Sequence, residues 1–282
     1  MTPYFILLRP RQWIKNLMLF FPPFLGGTIL QPGIAKKGVL PFVAFCLISS
    51  AIYILNDICD IESDRRHPKK SLRPLPSGLI RPVSASILAT TCVIFSSAAA
   101  LYIASPFFVY LMAYVVISVA YTLWLKDVVL VDIFCISAGF LIRLLAGGEV
   151  FAIAVSHWLF LSVFLLSLFL SAGKRFSEKY TLGTTAASHR KALDDYRGKF
   201  LEDIMNITAA AVLVTYTMYV ISNPSFPLIY TVPLCCFGLL RYIFRIHAGA
   251  DGDPTASLTR DPALFLIGVL WVTMLGWGIY NK

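Results

Sequence analysis

Long stretches without charged side chains are the feature that most constrains this sequence. Residues 82–125 and 204–240 contain no Asp, Glu, Lys or Arg, and a helix needs about 20 predominantly apolar residues to cross a bilayer. With 58% hydrophobic and 14% charged residues over 282 positions, the chain is too apolar for a water-soluble surface. We therefore predict an all-α, polytopic membrane protein.

Nine spans of suitable length can be placed along the chain. Residues 82–125 and 204–240 each hold two, with turns near Ser105-Pro106 and Asn223-Pro224-Ser225. The other five predicted spans are 16–35, 38–56, 128–148, 150–173 and 262–281. The N-terminus lacks the pattern of a secretory signal, so the first span is expected to be retained. We expect residues 1–282 to form one helical membrane domain.

Positive charge is concentrated in alternate connections between these spans. All but four of the 24 lysines and arginines fall on the side that carries the N-terminus; the exceptions are Lys36, Lys37 and Lys282 opposite, and Arg143 within a span. Because cytoplasmic loops carry the excess of Lys and Arg, we predict a plasma (inner) membrane protein with a cytoplasmic N-terminus. Long polar connections at about 57–81, 174–203 and 241–261 are expected to cap a cavity facing the cytoplasm.

The formal charge of +9 indicates which partners to expect. On a membrane protein such an excess favours anionic lipid or an anionic substrate over nucleic acid, and we expect no nucleic-acid partner. The six cysteines lie mostly in apolar runs without metal-ligand spacing, so we expect free thiols and no disulfide framework.

A cluster of oxygen-bearing side chains follows the second predicted span. Asn56, Asp60 and Asp64 recur at every fourth residue, and Asp57 precedes Asp60 by three. A helix continuing to about Arg66 would place them on one face. Like charges repel at this spacing unless a cation neutralises them, and carboxylate and amide oxygens suit Mg²⁺. The pattern therefore predicts Mg²⁺ on Asn56, Asp57, Asp60 and Asp64.

The basic segment after this motif indicates that the metal would bind together with phosphate groups. Donors for phosphate oxygens would come from Arg65, His67, Lys70 and Arg73. The alternative is a solvated helix end whose carboxylates pair with neighbouring basic residues. Four oxygen ligands next to an apolar span and a basic loop favour the functional interpretation.

The motif Asn56-Asp57-x-x-Asp60-x-x-x-Asp64 after the second span resembles the signature of the UbiA superfamily of membrane prenyltransferases. Within that superfamily the sequence is most similar to the decaprenyl-phosphate phosphoribosyltransferases, and the likeness extends over the whole chain. The segments that carry it are 9–16 (RPRQWIKN), the motif through Pro74, 124–126 with Asp132, 139–143 with 147–148, 173–175 with Glu178, Arg190-Lys191 with Tyr196, and 241–242 with Gly249, Gly252, Pro254 and 260–261.

The resemblance implies transfer of 5-phosphoribose from phosphoribosyl pyrophosphate to a polyprenyl phosphate, with release of pyrophosphate, towards decaprenyl-phosphoryl pentoses for cell-envelope polysaccharide. Most of the superfamily carries a second aspartate motif after the sixth helix. Here that place reads Gly173-Lys174-Arg175-Phe176-Ser177-Glu178, which disfavours ordinary prenyl transfer. Two anionic substrates require many cations, so Lys126, Lys174 and Arg175 are expected to join the basic residues of the motif.

The remaining site residues follow from the same reasoning. We expect catalytic roles for Asp57, Asp60, Asp64 and Lys174, and substrate contacts from Arg143 and Glu178; the family resemblance implies a substrate contact from Lys15 as well. Arg143 lies inside a predicted span, where an ionised group is costly unless it is paired or faces a wet cavity. Its alternative role is a structural ion pair with Asp132 or Glu149, and Lys15 could do no more than extend its ammonium to the membrane surface.

Two other functions remain open at this point. A prenyltransferase of the same fold would move a polyprenyl group from its diphosphate to an aromatic acceptor. A transporter or lipid-binding protein would use the polar connections as gates, but it leaves the four-ligand helix end unexplained. A homo-oligomer is compatible with the sequence.

Overall fold

The computed structural model of the chain describes residues 3–66, 70–182, 193, 195–223 and 228–281. These residues form helices and turns, with no strand among them. The eight long helices are α1 (Ile34–Cys59), α2 (Pro82–Ile103), α3 (Ser105–Leu123), α4 (Val131–Phe151), α5 (His157–Leu182), α6 (Phe200–Ser222), α7 (Thr231–His247) and α8 (Pro262–Tyr280).

All eight helices are long and apolar enough to cross a membrane, α7 when the preceding turn Leu228–Tyr230 is included. The prediction of an all-α integral membrane protein is confirmed. The predicted count of nine spans is not confirmed, because eight such helices occur within the described ranges.

The difference arises in the first predicted span, 16–35. That region forms a 3₁₀ helix, Pro10–Phe20, followed by a short α-helix, Phe21–Leu25. Pro22 and Pro23 lack the N–H that an α-helix needs in its interior. Beyond them Gly27 takes a φ of 71°, which directs the chain into a turn. Counting apolar residues alone missed these local breaks.

The chain divides into two compact units. The first comprises the described residues of Met1–Pro23, Thr28–Leu125 and Ile142–Ala154, and the second those of Phe24–Gly27, Lys126–Leu141 and Val155–Lys282. Helix α4 contributes residues to both. That residues 1–282 act as one domain stays a prediction.

In the first unit, α1 packs against α2, α3 and the 3₁₀ helix Pro10–Phe20. Its core joins Phe45 of α1 with Phe107 and Leu111 of α3, and all three are fully buried. Helix α1, which ends beside the aspartate motif, is thereby held on several sides by apolar packing.

In the second unit, α5 packs along α6, and α7 packs against α8. Phe169 of α5, Met205 of α6 and Ile246 of α7 are buried in one cluster. Helix α5 ends at Leu182, so the predicted polar connection 174–203 begins as helix, and Lys174, Arg175 and Glu178 lie on its last turns.

Candidate active site

The aspartate motif lies where α1 ends. The α-helix stops at Cys59, Asp60 forms a turn with φ −97°, and a short helix resumes over Ile61–Arg65. The backbone bonds nevertheless keep their four-residue step: the Asp60 N–H donates to the Asn56 carbonyl at 2.9 Å, and the Asp64 N–H to the Asp60 carbonyl at 2.8 Å. The predicted helical spacing of the motif is therefore preserved across the break.

Two of the aspartates converge on one arginine. Arg73 Nη1 donates to Asp57 Oδ1 at 3.2 Å and to Asp64 Oδ2 at 2.6 Å. Both aspartates are 2% exposed, so their charges are largely removed from water and need a nearby cation. Lys70 provides a second cation, with its Nζ 3.7 Å from Asp64 Oδ1.

The other motif residues are held locally. Asn56 Nδ2 donates to Asp60 Oδ2 at 2.9 Å, which turns these two side chains towards each other. Arg65 instead pairs with Glu62 at 2.8 Å, and both side chains are largely exposed. His67 lies outside the described residues. The carboxylate centre, as we call it, consists of Asn56, Asp57, Asp60, Asp64, Lys70, Arg73 and one further residue, Arg9.

Arg9 contacts Asp57 of the motif, and the sequence does not predict this contact. Its guanidinium donates to Asp57 Oδ1 from 48 residues earlier in the chain, and it lies over the Tyr53 ring at 5.2 Å from the centroid. The Arg9 backbone is left-handed, with φ 52° and ψ 56°. A signal existed, since Arg9 opens the segment 9–16 that carries part of the family likeness, but no local rule connects it to Asp57.

Apolar packing fixes the segment that brings Arg73 back to α1. Leu75 and Ile80 are buried against Leu7, Ile54 and Ala85. The Ile80 N–H donates to the Pro74 carbonyl at 3.0 Å, which closes the loop after Arg73. The basic part of the motif is therefore anchored by its own hydrophobic residues.

The carboxylate centre offers hard oxygen donors, which is the chemistry that Mg²⁺ requires. Asp57 and Asp64 already direct oxygens to one cationic nitrogen, Arg73 Nη1, so the donor set fits a divalent cation. Over the ranges that the structure describes, however, no three carboxylates, imidazoles or thiols converge as a ligand set. Two of the carboxylates that a metal would bind, Asp57 and Asp64, are paired with Arg9, Lys70 and Arg73.

Elsewhere in the first unit, Arg143 is buried in a polar contact between helices. It is 4% exposed, and its Nε donates to Asn16 Oδ1 at 2.7 Å. Its guanidinium lies 4.4 Å from the Tyr114 ring centroid and 5.8 Å from that of Phe45. These contacts with protein groups favour a structural role. Lys15, next to Asn16, is half-buried.

A second polar network lies in the second unit. Asp132 is fully buried and accepts from Arg175 Nε at 2.7 Å on Oδ2 and from the Tyr196 hydroxyl at 2.6 Å on Oδ1. Arg175 Nη1 also donates to Glu178 Oε2 at 2.5 Å. Burial raises the pKa of the Tyr196 phenol, and its hydrogen bond to Asp132 raises it further. We call Tyr196, Asp132, Arg175 and Glu178 the tyrosine bridge.

This network changes how Arg175 is interpreted. The sequence predicts that Arg175 contacts substrate phosphate, and in the structure its guanidinium is 3% exposed and contacts two carboxylates. Glu178 has a side chain that is 35% exposed. Lys126 and Lys174 are half-buried. Asp132 and Tyr196 belong to the segments that carry the family likeness, but the sequence does not predict them as site residues.

The loop after α7 packs tightly on α5 near Lys174. The Gly252 N–H donates to Ser177 Oγ at 3.0 Å, and the Tyr242 hydroxyl donates to the Gly252 carbonyl at 2.8 Å. A Cβ at Gly252 would lie 2.8 Å from the Lys174 Cα, closer than side chains tolerate. Glycine is required there by the close approach of two backbones.

The chain is similar to curated proteins along nearly its whole length. The decaprenyl-phosphate phosphoribosyltransferase of Mycolicibacterium smegmatis is 32% identical, with 96% of this chain and 91% of that protein covered. The protein of the same name from Mycobacterium tuberculosis is 31% identical, with 95% and 91% covered.

Solved structures share the fold. A UbiA homolog from Archaeoglobus fulgidus, bound to GPP and Mg²⁺, superimposes with a TM-score of 0.74 at 21% identity, over 99% of this chain and 100% of that one. A structure of digeranylgeranylglyceryl phosphate synthase gives 0.70 at 17% identity, over 99% and 98%. A sequence model of the UbiA prenyltransferase family matches residues 20–267. This chain therefore belongs to the UbiA prenyltransferase family.

Proposed function

We propose that the protein is a polyprenyl-phosphate phosphoribosyltransferase, which transfers 5-phosphoribose from phosphoribosyl pyrophosphate to a polyprenyl phosphate such as decaprenyl phosphate. The observation that carries the proposal is the likeness, at 31–32% identity along nearly the whole chain, to relatives named decaprenyl-phosphate phosphoribosyltransferase. The product would be a precursor of decaprenyl-phosphoryl pentoses for envelope polysaccharide.

The reaction makes one bond and breaks one. A phosphate oxygen of the lipid acceptor bonds to C1 of the ribose, while the bond from C1 to the pyrophosphate oxygen breaks and the leaving group takes the electron pair. The acceptor oxygen is already anionic near neutral pH, so no general base is needed. Positioning of the two substrates and stabilisation of the leaving pyrophosphate can then supply the catalysis.

In this proposal the carboxylate centre binds the pyrophosphate end of the donor. Asn56, Asp57, Asp60 and Asp64 would hold Mg²⁺, which when bound acts as a Lewis acid that neutralises the leaving group. Arg9, Lys70 and Arg73 contact two of these carboxylates, Asp57 and Asp64. They therefore bring cationic groups to the place where phosphate oxygens would approach, and each can donate to those oxygens.

We also propose that Lys126 and Lys174 of the second unit bind phosphate, and that Glu178 and Arg175 act beside them. Substrate contacts by Lys15, Arg65, His67 and Arg143 stay predictions. The positive-charge asymmetry of the sequence supports a cytoplasmic active site in the plasma membrane.

A second candidate is prenyl transfer to an aromatic acceptor. It is favoured by the family as a whole and by the related fold that binds GPP and Mg²⁺. It requires a polyprenyl diphosphate as donor and makes no use of phosphoribosyl pyrophosphate.

The deciding experiment is an assay in detergent micelles with Mg²⁺, decaprenyl phosphate and phosphoribosyl pyrophosphate labelled in the ribose. Label is expected to move into the organic phase and to stop moving when EDTA removes the metal. Joining of a polyprenyl diphosphate to an aromatic acid, without ribose transfer, would establish the second candidate instead.

A matched pair of substitutions tests the metal ligands in the same assay. Asp60→Asn should abolish metal-dependent transfer because the amide cannot replace an anionic ligand. Glu62→Gln makes the same chemical change two residues away on an exposed side chain and should leave transfer nearly intact. Nearly intact transfer by Asp60→Asn, equal to that of Glu62→Gln, would remove Asp60 from the metal site.

A further inference from the structure

The hydroxyl of Tyr196 joins separate segments of the second unit. Tyr196 is 1% exposed; its hydroxyl donates to Asp132 Oδ1 at 2.6 Å and accepts from the Leu130 N–H at 2.9 Å. The Tyr196 carbonyl in turn accepts from Lys179 Nζ of α5. One residue thus binds the turn before α4, the first turn of α4 and the end of α5.

The charges of the tyrosine bridge are deeply buried. Asp132 is 0% and Arg175 3% exposed, and taking a carboxylate and a guanidinium out of water costs free energy that their mutual attraction only partly offsets. Apolar side chains of similar volume often give equal or greater stability at such places. Stability alone is therefore a poor explanation for this network, whereas exact placement of the attached groups requires directional bonds.

The groups attached to the bridge are candidate phosphate ligands. The Leu130 N–H donates a hydrogen bond to the Tyr196 hydroxyl. Leu130 has a left-handed φ of 66° and follows Lys126 by four residues. On the other side of the bridge, Arg175 adjoins Lys174. A left-handed leucine is strained and persists only where its surroundings hold it, so loss of the hydroxyl would remove one of the bonds that hold the turn following Lys126.

We propose that Tyr196 and Asp132 are positioning residues that hold Lys126 and Lys174 of the second unit in the geometry needed to bind phosphate. The proposal rests on the proposed function in assigning phosphate to these lysines. Tyr196 and Asp132 act through the protein and do not themselves touch the substrate.

The test uses the full-length protein in detergent and inorganic pyrophosphate with Mg²⁺ as the probe. Calorimetric affinity is compared for the wild type, Tyr196→Phe and Tyr180→Phe. Tyr180 lies on α5 with 67% of its surface exposed and provides the same chemical change away from the bridge. Tyr196→Phe should weaken pyrophosphate binding about three- to tenfold, the effect of one or two hydrogen bonds, and Tyr180→Phe should not.

Thermal unfolding of the same samples separates placement from stability. A lower midpoint for Tyr196→Phe with unchanged pyrophosphate affinity, measured well below that midpoint, would overturn the proposal. So would a wild-type protein that binds no pyrophosphate. Asp132→Asn supplies a second variant, because it keeps the shape of the side chain but removes the charge facing Arg175, and it should weaken pyrophosphate binding as well.

Kinetics then keep this inference distinct from the proposed function. Whichever donor the wild type uses, phosphoribosyl pyrophosphate or a polyprenyl diphosphate, carries a pyrophosphate. The identity of that donor decides the proposed function. A rise of KM for that donor in Tyr196→Phe, with a smaller change in kcat, supports the positioning role, and an unchanged KM contradicts it.

Discussion

Arg9 and Asp57 are in direct contact although 48 residues separate them in the chain. Asp57 is almost fully buried, while the Arg9 side chain is 23% exposed, so the buried carboxylate is paired with a cation that still reaches solvent. The left-handed backbone of Arg9 costs an L residue roughly 1–2 kcal/mol. Arg9 keeps this strained conformation at the carboxylate centre. Strained backbone of this kind is often found at functional sites.

The first prediction concerns this pair. Arg9→Gln should lower turnover about ten- to a hundredfold, because a hydrogen bond to a charged group contributes about 1.5–3 kcal/mol. Arg9→Lys should retain part of the activity, since it keeps the charge but not the planar donor group. Arg11→Gln, an exposed change in the same segment, is the control. Wild-type kcat and KM in a folded Arg9→Gln protein would exclude Arg9 from the site.

The second prediction concerns Arg143. Replacement by Met keeps much of the volume but leaves the buried Asn16 oxygen without the Nε–H donor and removes both ring contacts. We expect a loss of about 1.5–3 kcal/mol in the free energy of unfolding, visible as a lower thermal midpoint in detergent. The exposed Arg260→Met is the control. An unchanged midpoint with a raised KM would instead establish the substrate contact predicted from the sequence.

The third prediction uses two helical glycines. A Cβ at Gly147 of α4 would overlap the carbonyl oxygen of Leu19 and lie 2.8 Å from its carbonyl carbon, whereas one at Gly276 of α8 meets nothing within 4 Å. Gly147→Ala should therefore lower the thermal midpoint, because backbone must move. Gly276→Ala should leave it unchanged or raise it, since Ala is favoured over Gly in a helix by about 1 kcal/mol. The same response from both variants would contradict the close approach of α4 to Leu19.

What could be predicted from the sequence is largely what is local. The four-residue step of Asn56, Asp60 and Asp64 survives because backbone bonds between them persist through the turn at Asp60. The contact of Arg9 with Asp57 could not be predicted, because it depends on how the first segment packs on α1. The pairing of Arg175 with Asp132 could not be predicted for the same reason: Asp132 lies 43 residues earlier, and no spacing rule relates them.

The fourth prediction concerns pH. Asp261 caps α8 by accepting from the Leu264 N–H at 2.9 Å and pairs with Arg241 and Arg245 at 3.0 and 2.8 Å. Burial alone would raise the pKa of Asp261, but the backbone hydrogen bond and the two guanidinium groups outweigh it and hold that pKa below its ordinary value. A carboxylate of this kind stabilises the fold fully above the unfolded pKa of about 3.9, and the stabilisation is lost as pH falls through the folded value.

The measurement is the thermal midpoint of the wild type and Asp261→Asn across pH. The wild type should be the more stable protein by a constant margin between about pH 5 and 7, and the margin should shrink as the pH falls below about 4. Asp127→Asn, on a half-buried residue of the turn before α4, is the control. A margin that does not change with pH would show that the charge of Asp261 is not what stabilises the end of α7 against α8.

The fifth prediction fixes the side of the membrane on which the carboxylate centre lies. Cys59 is exposed and immediately precedes Asp60, whereas Cys46 and Cys92 are buried and the other three cysteines are partly covered within long helices. A membrane-impermeant maleimide should therefore label inverted membrane vesicles but not intact spheroplasts, and Cys59→Ser should remove most of the label. Because bound pyrophosphate would cover the end of α1, Mg²⁺ with pyrophosphate should slow labelling of Cys59. Labelling in spheroplasts would reverse the orientation that the positive charges predict, and it would place phosphoribosyl transfer on the wrong side for a cytoplasmic donor.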